Sequence, residues 1–145
     1  MSKAIGIACR VPLEQRAALE QLLFFNGKQH RVRSGIEASI ETYGVPEICE
    51  AEGGLTIRVG NVEGVQTLFA LSDGGHPVGA AVFTRLGESR FVILHVGVQS
   101  PVHARSLGER RILRMLMHEI RETARRTRGV QAIELVYRRR AEARP

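Results

Sequence analysis

Between residues 55 and 98 the chain alternates. Leu55, Ile57 and Val59 sit between polar neighbours, and similar runs follow at residues 65–71, 78–84 and 91–98. A period of two belongs to a strand with one buried face, so four strands are predicted. The segments between them, residues 61–64, 72–75 and 86–89, carry the Gly, Asn and Asp that tight connections require, which orders the four as an antiparallel meander. Ahead of the meander, residues 4–11 read as a first strand, and Pro12 fits the first turn of a helix that runs to Phe25 and closes at Asn26 and Gly27. Leu19, Leu22, Leu23 and Phe24 or Phe25 form its apolar stripe. Ser34 with Glu37 three residues on signals a second helix, stopped by Gly44 and Pro46, with Ile36, Ile40 and Tyr43 on one face. After the meander the period becomes 3.6. Ile112, Leu116 and Ile120, flanked by Leu113 and Met117, mark a long helix that Gly129 ends, and residues 130–137 form the last strand.

No repeat, low-complexity tract or linker interrupts this order, and only residues 138–145 read as a tail. Residues 1–145 are therefore expected to form a single domain, long enough to bury a core without metal or disulfide. Cys9 and Cys49 lie far apart with no Cys or His at ligand spacing, the pattern of reduced thiols in a cytosolic protein. The N-terminal apolar run is too short for a signal peptide, and no segment approaches the roughly 18 apolar residues of a membrane span, so a soluble, cytoplasmic protein is expected. The net charge of +6 comes largely from arginines after residue 104. A basic half calls for an anionic partner, either nucleic acid or a phosphorylated cofactor.

The densest information lies in residues 91–137, where a strand, a loop containing Arg105, Ser106, Leu107 and Gly108, an Arg-rich helix and a strand follow one another. A parallel crossover whose helix opens at a Gly-containing loop is a natural phosphate receptor, because the first helical N–H groups and the helix dipole face the anion. Gly97, inside an otherwise apolar strand, suggests a bulge or a close backbone approach.

The order of elements, with Arg105-Ser106-Leu107-Gly108-Glu109-Arg110 opening the long helix, resembles the GNAT superfamily of acyl-CoA N-acyltransferases. In that family an Arg or Gln followed by x-x-Gly-x-Gly or Ala holds the cofactor pyrophosphate. Arg105 and Gly108 match, and Arg110 stands where the family has a small residue. The resemblance implies an α/β (α+β) fold, GNAT-like, with a mixed, mostly antiparallel sheet flanked by helices on both faces. It implies an acetyl group, or another acyl group, transferred from acetyl-CoA to a primary amine by direct attack. Val96, Gly97 and Val98 would hold the pantetheine arm, and Arg105, Ser106, Leu107, Gly108, Glu109, Arg110 and Arg111 the pyrophosphate. A tyrosine acid for the leaving thiolate is usual in the family and lies in a helix after the last strand; here Tyr137 is the candidate. The family's closing helix and hairpin have no counterpart before Pro145, and a homodimer or the N-terminal half is expected to cover the sheet edge.

His95 is the candidate base, since a strand-borne imidazole beside the acyl site can take a proton from an ammonium; the plainer reading is a hydrogen-bonded core histidine. His103 sits in the loop, and His30, His76 and His118 have no partners at metal-ligand spacing, so no metal is expected. The arginines of the long helix fall mostly off its apolar stripe, as a solvated face would. Two other functions stay open. One is a non-catalytic module of this fold that binds an acyl-CoA or a protein, and the other is a small basic nucleic-acid-binding protein, for which aromatic residues among the arginines are wanting.

Overall fold

The structure, a computed structural model, describes residues 5–24, 42–60, 62–99 and 106–135, and for Phe24, Ser106, Leu107, Glu109 and Leu135 it describes the backbone alone. The described elements run in the order β1 (Gly6–Ala8), a 3-10 turn (Leu13–Gln15) leading into α1 (Arg16–Phe24), β2 (Pro46–Ala51), β3 (Gly54–Val59), β4 (Gln66–Leu71), a second 3-10 turn (Asp73–Gly75), β5 (Pro77–Leu86), β6 (Arg90–Val98), α2 (Ser106–Arg126) and β7 (Ala132–Leu135). This is a mixed α+β architecture. Five strands form one sheet in the order β1-β4-β5-β6-β7, antiparallel at every pair except β6 with β7.

β5 is buried from Pro77 through Thr84, as expected of a central strand covered on both faces. Successive residues feed two separate clusters. Phe69, Ala80, Val82, Val92 and Leu94 pack with Leu19, Leu22 and Leu23 of α1, whereas Ala70, Ala81, Phe83, Phe91 and Ile93 pack with Ile112, Leu116 and Ile120 of α2. The alternation of side chains across a pleated strand separates the clusters. α2 lies close against β5 because residue 79 has no side chain: a Cβ there would come within 2.7 Å of Ile112 Cγ2 and 3.1 Å of Leu116 Cδ1. Among the described residues no helix is long and apolar enough to cross a membrane.

The meander needs one correction. β4, β5 and β6 pair in sequence as expected, but β3 does not pair with β4. It pairs antiparallel with β2, a strand absent from the sequence-based reading, in a separate two-stranded sheet. Pro46, read as a helix stop, opens β2 and is buried there. The overlooked signal is the turn: Ala51 pairs with Gly54 across Glu52 and Gly53, and Gly53 has φ +90°, the Gly-dependent geometry of a tight hairpin. The first strand is likewise shorter than residues 4–11. It pairs with β4 over Gly6–Ala8, then bends at Cys9 so that Val11 exchanges both backbone bonds with Leu55, at 3.0 and 2.7 Å. Thr56 Oγ1 and Thr67 Oγ1, 2.9 Å apart, form a second tie between the hairpin and the main sheet.

The helix after Pro12 begins as the 3-10 turn and becomes α-helical at Arg16; its expected closure at Asn26 and Gly27 lies outside the described residues. The second expected helix also lies outside them, save for Thr42 and Tyr43, which are helical. Tyr43 packs against the α1 cluster.

Candidate functional site

The crossover unit β6-α2-β7 is formed. β6 and β7 pair in parallel from Arg90 opposite Ala132 to Ile93 opposite Leu135, and Arg90 Nη1 grips both carboxylate oxygens of Glu134, at 3.1 and 2.9 Å. The last strand is described to Leu135, so Tyr137 lies outside the described residues, as do His30, His103 and Arg105.

Immediately after the paired stretch β6 carries a bulge. Its register against β5 passes from Ile93 opposite Phe83 to His95 opposite Val82, leaving Leu94 as the extra residue. An extra residue reverses which side chains face which side from that point onward. Phe91 and Ile93 pack with the α2 cluster before the bulge, and Val96 and Val98 do so after it. Uninterrupted alternation would have placed His95 beside Ile93; the bulge instead carries it round with Gly97 toward α1. A Cβ on Gly97 would stand 3.3 Å from the Leu22 carbonyl oxygen and 3.9 Å from His95 Nε2. Sequence pointed to Gly97 for either a bulge or a close approach. The close approach is there, and the bulge is at Leu94, because Gly97 itself keeps regular register opposite Ala80. Beyond β6, Gln99 N–H still donates to the Val78 carbonyl at 2.9 Å.

His95 is 5 % exposed, and burial pushes its pKa down to about 4. The imidazole is therefore neutral at pH 7, yet it is a far weaker base than one matched to neutral pH.

α2 starts earlier than the sequence suggested. Ser106 is already helical, so Ser106, Leu107, Gly108 and Glu109 form its first turn instead of a preceding loop. A glycine is tolerated there because the first four helical N–H groups have no intrahelical acceptor in any case. Gly108 is half-buried, and the side chains of Arg110 and Arg111 are exposed. The crossover thus brings the strand-borne candidates and the helix-borne candidates into one unit, with residues 100–105 between them outside the described residues.

Away from the crossover, a concavity of about 490 Å³ opens where β1 leaves β4 for β3. Cys9, Arg10, Cys49, Thr56, Arg58 and Thr67 are among its lining residues, which include no carboxylate. Both cysteines are free thiols, Cys9 exposed and Cys49 half-buried. Arg10 donates to the Glu52 and Cys9 carbonyls at 3.3 and 2.9 Å, and Arg58 pairs with Glu47 at 3.3 Å. Sequence reasoning missed this grouping since it arises from pairing between segments some 45 residues apart, as between Val11 and Leu55. His118 is exposed on α2, and His76 lies in the β4–β5 turn. Among the described residues no three His, Cys, Asp or Glu side chains converge as a metal site would require.

No family model matches the chain, and no curated protein sequence matches it significantly.

Proposed function

We propose that this chain is an acyl-CoA-dependent N-acyltransferase of GNAT-like architecture, taking an acetyl group to a primary amine. The observation that carries the reading is the conjunction in one crossover. β6 bulges at Leu94, one residue beyond its described pairing with β7, and the chain then enters a long helix with Gly108 in its first turn. The separation of α1 and α2 into different clusters of the sheet supports the same layout. In this reading the backbone of Val96, Gly97 and Val98 pairs with pantetheine, while the first turn of α2, with Arg105, Arg110 and Arg111, holds the pyrophosphate.

The chemistry rests on proximity and on polarising the thioester carbonyl. The amine lone pair attacks the carbonyl carbon, the new C–N bond forms, the C–S bond breaks, and the sulfur of coenzyme A leaves as the thiol by taking up the proton that the new amide nitrogen sheds. The ammonium proton goes to water in this scheme, since a histidine with its pKa near 4 is a poor acceptor. That same depressed basicity favours a second reading, in which the site holds an acyl-CoA without turning it over.

A thermal-shift titration with acetyl-CoA tests both. Binding should add about 2.7 kcal/mol of stability at a hundredfold excess over the dissociation constant. Gly108→Trp should abolish the shift by blocking phosphate, and Arg121→Ala, farther along the helix, should keep it. No shift at millimolar acetyl-CoA sinks both readings. A shift without release of free thiol in the presence of a panel of amines leaves only the binding module.

A further inference from the structure

The outward face of α2 is a strip of arginines with one histidine among them. At 3.6 residues per turn, Arg110, Arg114, His118, Arg121 and Arg125 fall within an arc of about 80°, and all five side chains are exposed. The buried residues Ile112, Leu116 and Ile120 centre about 160° away. The described carboxylates of the helix, Glu119 and Glu122, lie outside the arc. Glu122 reaches Arg125 at 3.0 Å, and among the described residues no other arginine of the strip meets a carboxylate.

We propose that this strip binds the phosphate backbone of a nucleic-acid duplex, whether or not the chain transfers acyl groups; Arg110 alone is common to the two sites. Steps of three or four residues set successive strip residues about 4.5 to 6 Å apart along the axis, and the four arginines among them span about 22 Å of it. A duplex presents one negative charge per roughly 1.7 Å of its axis, with the bases stacked inside. Guanidinium groups match phosphate oxygens as bidentate donors, and every formal charge on the strip is an arginine. No Phe, Tyr or Trp occurs anywhere in α2, so the strip lacks the large aromatic platforms on which successive unpaired bases stack. That selects a duplex over a single strand.

The test is fluorescence anisotropy with a labelled mixed-sequence DNA duplex of about 20 base pairs, titrated from about 50 to about 200 mM salt. Four arginine contacts predict a slope of log K against log salt near −3.6, and the double variant Arg114→Gln with Arg121→Gln should flatten it by about 1.8. A control pair, Arg16→Gln with Arg58→Gln, removes the same charge from exposed positions off the helix and should leave the slope unchanged. All four sites are exposed, so both variants should melt with the wild type. Equal losses from the two pairs would mean that net charge, not the strip, binds. Absence of binding at low salt, tighter binding of a single strand, or displacement by poly-glutamate as effective as by unlabelled duplex each overturns the proposal, the last in favour of an acidic protein partner.

Discussion

His95 shows how much one residue's environment can differ from its sequence context. It sits in an apolar strand, where a polar side chain is either a reactive group or a satisfied core residue, and the bulge at Leu94 turns it toward α1 and buries it. Its pKa falls from 6.5 to about 4 through burial, so between those values the unfolded chain binds the proton that the folded chain refuses. Stability must therefore rise with pH across that window, and it is lost as pH falls from about 6.5 to 4, by about 3 kcal/mol in total. Urea denaturation at pH 7, 5 and 4 should show this decline in the wild type. His95→Leu should flatten it, and an unchanged pH dependence in that variant would place the titration elsewhere. The apolar run around His95 was readable in the sequence, but its burial toward α1 depends on a one-residue slip against β5 that no local pattern encodes.

At the scale of elements, α2 was the most legible part of the chain because its stripe of Ile112, Leu116 and Ile120 repeats over several turns, and all three are buried. Leu116→Ala should cost about 2–5 kcal/mol, whereas Arg121→Ala on the exposed face should stay within about 0.5. Gly79→Val tests the other side of the same contact: its side chain would meet Ile112 and Leu116, and overpacking should cost about 1–3 kcal/mol. Chemical denaturation midpoints compare all three; a neutral Gly79→Val would mean that α2 can ride away from β5. β2 was illegible for the opposite reason. It opens on a proline and carries Glu47 and Glu50, so its period is weak, and only the Glu52-Gly53 turn announced it.

For the whole molecule the question is how the hairpin β2-β3 is held to the five-stranded sheet. The described ties are few: the Val11–Leu55 backbone pair, the Thr56–Thr67 hydroxyl pair, and the side chains of Arg10 and Arg16 donating to the Glu52 and Ile48 carbonyls, with Leu55, Ile57 and Val59 buried beneath. Gly54 sits at this joint with φ +138°, and a Cβ there would stand 2.4 Å from the Val11 carbonyl oxygen. Gly54→Ala is thus strained both in its backbone and by collision, at a cost of at least about 1–3 kcal/mol. Hydrogen exchange should locate the damage, with β2 and β3 amides accelerating more than those of β5 and β6, because a weakly tied unit opens before the central strands do. Uniform acceleration would instead mark the two sheets as one cooperative body.

Periodicity, read along the chain alone, determined the existence of α1, α2, the first strand and the meander strands, and which faces of them are apolar. It also determined the crossover unit, since a strand-helix-strand order with a glycine at the helix start is written in consecutive residues. Only tertiary structure decided that β3 joins β2, that Leu94 is the bulged residue, that His95 turns toward α1, and that Cys9 and Cys49 line one groove. Those outcomes depend on register between distant strands, set by competition among many burial arrangements, whereas periodicity reports only what each segment would bury by itself.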